Sequence, residues 1–202
     1  MNFQEYTPLA FKTAKQYNDP VKDLLHGALG MATEAAEFSE TLETFYFRLS
    51  GDKQPLSVYA PLSTFQKQYM EDLKENFMEE VGDAFWYSAL LATHFKFPMS
   101  YEGETLSTTN YLPMSGVLQT SGGVIDIAKR AFVYEKEIDL NLLATLVQQN
   151  TVAWVRLLNW LCIDLSECLQ YNIDKLQKRY PEKYSNEAAL ARADKDAPAD
   201  LG

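Results

Sequence analysis

Four acidic residues stand in two pairs, each pair three positions apart, within otherwise apolar segments of the chain. Glu34 and Glu37 belong to the stretch TEAAEFSE, and Glu80 and Asp83 belong to FMEEVGDAFWY. Residues i and i+3 share one face of an α-helix, so each pair predicts a short acidic edge on a buried helix. Burying an unpaired charge is costly, and four carboxylates in one cleft also repel one another. The pattern therefore predicts a cation that neutralises them.

A magnesium ion fits these ligands best, with Mn²⁺ as the alternative ion. Mg²⁺ prefers oxygen ligands and commonly combines carboxylates with waters and substrate phosphates. Such an ion offsets the charge of a polyphosphate and lowers the pKa of a bound water that can attack phosphorus. Two ions would balance the four carboxylates. We therefore expect a site for hydrolysis of a nucleoside triphosphate, although acids at this spacing are also common on solvated helix faces.

Helical periodicity runs through most of the sequence and predicts an all-α fold, a helical bundle. Turn-forming stretches interrupt it at 18–20 (NDP) and 50–52 (SGD), and a polar loop follows at 100–116. We expect helices at about 3–17, 21–49, 62–96, 116–134 and 139–179.

An internal repeat groups these helices into two tandem helix-pair units, of which the second is degenerate. When the tryptophan-containing helices of the two halves are aligned, the four acidic positions hold neutral residues in the second half, namely Thr120, Gly123, Gln148 and Thr151. We expect a single domain over 1–202, composed of an active unit at 1–99, a linker at 100–114, a degenerate unit at 115–182 and a tail at 183–202.

The acidic composition limits the partners of the protein. The net charge is -10 and the pI is about 4.7, so no broad basic surface is available for a nucleic-acid backbone. No apolar run is long enough to span a membrane, and the first residues lack the apolar core of a signal peptide. Cys162 and Cys168 form neither a zinc motif nor a disulfide framework. We expect a cytoplasmic protein that binds neither nucleic acid nor membrane.

Three further stretches accompany the acidic pairs. HGALGM at 26–31 leads into the first pair, GDAFWY at 82–87 overlaps the second, and NIDKLQKRYPEKYSNEAALARAD at 172–194 follows near the end. Together with the ExxE and ExxD pairs, these stretches make the chain resemble the MazG-like all-α nucleoside triphosphate pyrophosphohydrolases, relatives of the dimeric dUTPases. The resemblance implies a bundle that binds Mg²⁺ through the four acids and cleaves a (d)NTP to the monophosphate and pyrophosphate.

Five more residues are candidates for binding the substrate. The resemblance implies this role for Asn172, Lys175 and Arg179, and it implies that Lys175 and Arg179 contact the phosphates. The alternative for these two basic residues is that they form an exposed basic end that complements the helix C-terminus. His26 and Tyr87 lie close to the acids along the two helices. We expect Tyr87 to stack on a base or bond a sugar hydroxyl. His26 would reach the substrate or, equally, cap the start of its helix.

The chain departs from the family in two respects. The insertion SGDKQPLSVYAPLSTFQKQ lengthens the gap between the two acidic pairs, and the degenerate second unit predicts a fused pseudo-dimer with one active site. We expect two such chains to form a homodimer. The alternative function is a catalytically weak nucleotide-binding or scaffold protein of the same fold, although a scaffold has no need for four mutually repelling acids.

Overall fold

The structure is a computed structural model that describes residues 1–50, 64–101 and 113–191, leaving aside the side chains at 46–50, 64–70, 72 and 113. Over these ranges the chain forms seven α-helices and no strand, which confirms the predicted all-α fold. The helices are α1 (Phe3–Lys12), α2 (Pro20–Ser50), α3 (Thr64–His94), α4 (Pro113–Tyr134), α5 (Leu140–Trp160), α6 (Leu165–Arg179) and α7 (Asn186–Ala191). The expected linker at 100–114 and tail at 183–202 lie partly outside the described residues.

The two longest helices, α2 and α3, form an antiparallel pair that carries the acidic residues. At one end of the pair, His94 Nε2 lies 2.9 Å from Asp23 Oδ1. Toward the other end, the ring centroids of Phe45 and Phe77 are 6.2 Å apart. Apolar side chains recur along the facing sides with the helical period, so each helix buries one stripe against the other. The antiparallel arrangement brings the middle of α2 beside the second half of α3.

The other helices cover this pair. The helices α4 and α5 form a second antiparallel pair, and the buried Trp154 of α5 packs 5.1 Å from the ring of Phe38 on α2. On another side, α1 and α6 both lie against α3. The main core fills the space among α1, α2, α3, α5 and α6. No helix in the described part of the chain is long and apolar enough to cross a membrane.

Side-chain caps fix where several helices begin. At the start of α1, Asn2 Oδ1 accepts a hydrogen bond from the Glu5 backbone N–H, and the Glu5 carboxylate accepts one from the Asn2 N–H. At the starts of α5 and α6, the carboxylates of Asp139 and Asp164 accept hydrogen bonds from the backbone N–H of Leu142 and Glu167. These oxygens pair with N–H groups that have no partner inside the helix, and each cap contributes about 1 kcal/mol.

The prediction of a single helix at 139–179 is wrong, because the chain forms two helices there. The backbone of Cys162 adopts a positive φ of 59°, and the N–H of Ile163 turns back to the carbonyl of Leu158 at 2.9 Å. This is a Schellman ending, which glycine normally marks. Asp164 then caps the start of α6. A cysteine at the left-handed position concealed the break from the sequence pattern.

The first helix is also shorter than expected, ending at Lys12 rather than at residue 17. The indole Nε1 of Trp86 lies 3.1 Å from the Ala10 carbonyl and 2.9 Å from the Thr13 hydroxyl, so a side chain of α3 bonds to the end of α1. This long-range contact is invisible to local periodicity. The remaining three predicted helices agree with the observed bounds to within three residues.

Candidate functional site

Three of the four predicted acids meet in one cluster between α2 and α3. Glu34 and Glu37 lie one turn apart on α2, and Glu80 faces them from α3. Each offers a carboxylate oxygen within 4.8 Å of the other two. Glu34 is only 8% exposed, Glu80 is half-buried and Glu37 is open to solvent. The structure thus brings these three side chains together, with one side of the cluster accessible.

Burial and repulsion disfavour the charged forms of the cluster. Removal from water raises the pKa of Glu34 to about 9, and the negative charges of Asp83, Glu37 and Glu80 add to the shift. Burial and then the charge of Glu37 raise the pKa of Glu80 to about 7. Without a cation, the cluster therefore retains at least one proton at neutral pH. A bound cation would take the place of such protons.

A hard divalent cation fits this donor set. The three side chains supply only carboxylate oxygens, which are the ligands that Mg²⁺ and Mn²⁺ take in proteins. Because Glu37 faces solvent, waters or a substrate phosphate can complete the coordination. Glu34, Glu37 and Glu80 are therefore the residues that could hold a metal ion.

Asp83, the fourth predicted acid, binds residues of α6 instead. Lys175 Nζ lies 2.6 Å from both carboxylate oxygens of Asp83, and Asn172 Nδ2 donates to Oδ1 at 2.8 Å. Asn172 and Lys175 are both buried. Arg179 lies one turn after Lys175, with its guanidinium carbon 6.0 Å from the ring centroid of Tyr180. The structure therefore places Asn172 and Lys175 beside the acids, through Asp83.

Tyr6 on α1 also belongs to the site, although no motif pointed to it. Its hydroxyl is fully buried, lies 3.2 Å from the Gly82 carbonyl and donates to Asn172 Oδ1 at 2.7 Å, across 166 positions of sequence. A buried tyrosine usually needs a hydrogen-bond partner for its hydroxyl. This requirement could have pointed to Tyr6 only if its burial had been known, and the sequence pattern of α1 did not reveal that burial.

An aromatic pocket adjoins the acid cluster. Its volume is about 440 Å³, and its walls are formed by α2 residues between Lys22 and Thr33 together with Tyr17 and Tyr87. Thr33 joins the pocket to the cluster, because its hydroxyl lies 3.3 Å from Glu34 Oε1. The pocket and the acid cluster are therefore neighbours along α2.

His26 stands in the aromatic wall of this pocket and does not cap the helix. Its ring lies edge-on to those of Tyr17, Tyr87 and Trp86, with centroids 5.5 to 5.8 Å apart. Burial lowers the pKa of His26, so the imidazole is neutral at pH 7. Its Nδ1 is buried and has no hydrogen-bond partner within the described parts of the chain. Buried polar atoms are normally paired, so this nitrogen is suited to bonding a ligand.

Tyr87 owes its position to a glycine on the facing helix. A Cβ built at Gly30 would lie 2.2 Å from the Tyr87 ring, so the ring packs directly on the backbone of α2. Burial raises the pKa of Tyr87, the charge of Glu34 adds to this, and the charge of Arg179 opposes it. The Tyr87 hydroxyl is thus within electrostatic reach of both the acid cluster and the basic face of α6.

A neutral polar network lies between α4 and α5. It includes Thr120 and Thr151, two of the positions that the predicted repeat aligns with acids of the first half. Asn150 Nδ2 donates to the Thr120 hydroxyl at 2.8 Å and to the Ser121 hydroxyl at 3.0 Å. The Thr151 hydroxyl bonds back to the Val147 carbonyl at 2.9 Å. None of these side chains carries a charge, although Asn150 Oδ1 is buried without a hydrogen-bond partner among the described residues.

In comparisons with known proteins, no family model, no curated protein and no solved structure matches the chain. The function must therefore be inferred from the residues of the site.

Proposed function

We propose that the protein is a Mg²⁺-dependent nucleoside triphosphate pyrophosphohydrolase that cleaves a (d)NTP to the monophosphate and pyrophosphate. The observation that carries the proposal is the convergence of Glu34, Glu37 and Glu80 beside an aromatic pocket. Groups with strongly shifted pKa values next to a cleft are typical of functional sites. The resemblance to the MazG-like family supports attack at the α-phosphorus.

The three clustered acids would hold the ion and orient the attacking water. When bound, Mg²⁺ offsets phosphate charge and makes a bound water more acidic. The contribution of the chain is to fix the carboxylates on two packed helices, so that little reorganisation is needed when substrate binds. A carboxylate within hydrogen-bond reach of the attacking water would accept its proton.

The triphosphate would lie between the acid cluster and α6. Arg179 adds a positive charge four residues after Lys175, whose ammonium is paired with Asp83, on that side of a protein whose net charge is -10. Charge-assisted hydrogen bonds from such groups are the usual means of holding phosphate oxygens. The nucleoside end would then point away from α6 and toward His26.

The base and sugar would occupy the aromatic pocket. A volume of about 440 Å³ falls within the range of small-molecule sites, roughly 300–1,000 Å³. Tyr17 and Tyr87 offer aromatic surface, and the imidazole of His26 lines the same pocket. Its buried Nδ1 has no partner among the described residues and would bond a polar edge of the base if the ring turns toward it. The pocket therefore supplies both stacking surface and one polar contact for a planar heterocycle.

Gly30→Ala should weaken substrate binding by displacing Tyr87. The new methyl group would overlap the Tyr87 ring, and loss of an aromatic contact corresponds to roughly a three- to tenfold rise in KM with little change in kcat. Steady-state kinetics measure this split. The matched control is Gly27→Ala, whose methyl group would meet Leu91 in the core and not the pocket. An unchanged KM in Gly30→Ala, in a folded protein, would remove Tyr87 from the binding site.

A product analysis tests the proposed reaction. The protein is incubated with each common NTP and dNTP in the presence of Mg²⁺, and the products are separated and identified. We expect the wild type to produce one pyrophosphate for each monophosphate. The control Glu43→Gln should do the same, because Glu43 is exposed and lies nine residues after Glu34, on the opposite face of α2. Release of orthophosphate as the first product, or activity that survives Glu80→Gln, would overturn the proposal.

A further inference from the structure

The charge of Asp83 is already matched by a cation of the protein itself. The ammonium of Lys175 bonds both of its oxygens at 2.6 Å, and Lys175 is only 8% exposed. The next nearest acid to this ammonium is Glu79, at 3.6 Å. Asp83 is 24% exposed, and a partly buried, doubly bonded pair of this kind is screened less by salt than an exposed pair.

A scaffold from three helices holds Asp83 toward Lys175. The Tyr6 hydroxyl donates to the amide oxygen of Asn172, which leaves the amide nitrogen to donate to Asp83. The approach of α6 to α3 depends on Gly82, because a Cβ there would lie 2.8 Å from Asn172 Cβ. Asp83 is therefore directed to α6 by groups other than Lys175 as well.

The Asp83–Lys175 pair lowers the negative charge that bound metal ions would have to neutralise. Four free carboxylates would require two divalent ions, but the ammonium of Lys175 already neutralises Asp83. A second dication at Asp83 would lie beside that buried ammonium, and like charges in a poorly solvated site repel strongly. Three carboxylates remain, which is a suitable number for one ion that also keeps waters or phosphate oxygens.

We propose that Lys175 takes the place of a second metal ion, so that the site binds one divalent cation through Glu34, Glu37 and Glu80. Asp83 acts as the anchor of Lys175, and Tyr6 is a positioning residue for that anchor. Two N–H groups of the ammonium are directed at Asp83. The third has Glu79 Oε1 3.6 Å away and would turn to a phosphate oxygen when substrate binds. This inference rests on the metal site of the proposed function.

Counting bound Mn²⁺ tests the inference without any turnover. Mn²⁺ is titrated into the nucleotide-free protein and its binding is followed by calorimetry and by the loss of the free-ion EPR signal. We expect one Mn²⁺ per wild-type chain. Lys175→Met frees Asp83 and should add a second, weaker Mn²⁺, whereas Asp83→Asn should keep one Mn²⁺ with its Kd changed by less than about tenfold. Glu80→Gln should weaken the single site by at least about tenfold.

The controls separate this inference from the proposed reaction. The double variant Asp83→Asn with Lys175→Met removes the pair as a unit and should still bind one Mn²⁺, which covers the case in which Lys175→Met does not fold. Two Mn²⁺ per wild-type chain, no Mn²⁺ at all, or loss of binding in Asp83→Asn would overturn the inference. If the protein binds one Mn²⁺ but hydrolyses no nucleotide, the inference is supported and the proposed reaction is wrong. If an active protein binds two Mn²⁺, the proposed reaction is supported and the inference is wrong.

Discussion

Replacing Glu34 by Gln is expected to abolish hydrolysis and, in the absence of metal, to make the protein more stable at about pH 8. Glu34 lies buried at the acid cluster, where loss of water raises its pKa to about 9. Mutating a group that only supports a metal ligand typically lowers metal affinity or activity by about 10- to 100-fold. Loss of a ligand itself should therefore lower kcat/KM by at least about 100-fold. The amide has the same shape and is neutral at every pH, so folding no longer requires the side chain to regain a proton that it has lost in the unfolded chain.

The sign of the stability effect follows from proton linkage. In the unfolded chain the pKa of Glu34 is about 4.3, whereas in the folded protein it is about 9. Between these values the folded state binds more protons, so the stability of the metal-free wild type falls as pH rises through this window. Glu34→Gln removes that fall.

Thermal unfolding of the metal-free proteins at several pH values measures the effect. The Tm of Glu34→Gln should exceed that of the wild type at about pH 8 and approach it at about pH 5. Glu43→Gln, the exposed control on the same helix, should match the wild type in both stability and activity. A Glu34→Gln protein that is less stable at about pH 8, or that keeps its activity, would contradict the assigned role of Glu34.

Stabilisation by Mg²⁺ is expected to increase steeply with pH. Metal ligands must be deprotonated, and in the metal-free site the pKa is about 9 for Glu34 and about 7 for Glu80. At about a hundred times its Kd, an ion bound only by the native state adds about 2.7 kcal/mol, or roughly 5–10 °C in Tm for a chain of this size. This shift should be largest near pH 9 and should shrink toward pH 6 as protons compete.

Two measurements check this prediction. Differential scanning fluorimetry with and without Mg²⁺ gives the shift in Tm at each pH, and calorimetric titrations in buffers of different ionisation enthalpy count the protons released. We expect at least one proton released per ion near pH 7, because the metal-free cluster retains one there. Glu80→Gln should reduce the shift at every pH. A shift that is the same at pH 6 and pH 9 would show that the ion does not bind at this cluster.

The shared cluster of Glu34, Glu37 and Glu80 was predictable, because helix periodicity is a local property. The spacing of Glu34 and Glu37 fixes them on one face, and Glu80 follows in the same way once α3 is recognised. Three of the expected helices agree with the structure to within three residues. The expected dimer, the division into two units and the cytoplasmic location stay predictions.

The missed features all depend on contacts between distant parts of the chain. The spacing of Asp83 after Glu80 predicts a shared face, but α6 decides that Asp83 faces Lys175. Tyr6 reaches the site only because α1 packs against α3 and α6. The break between α5 and α6 has Cys162 at the left-handed position, where a glycine would have indicated a helix end. Tertiary packing overrides local pattern at each of these positions.

The origin of the oxygen added during hydrolysis tests the central claim most directly. The reaction is run with Mg²⁺ in water enriched in ¹⁸O, and the products are examined by ³¹P NMR for the isotope shift of labelled phosphorus. Attack of water on the α-phosphorus would place the label in the nucleoside monophosphate and leave pyrophosphate unlabelled. Label in pyrophosphate, or no labelled product from any common nucleotide, would contradict the account.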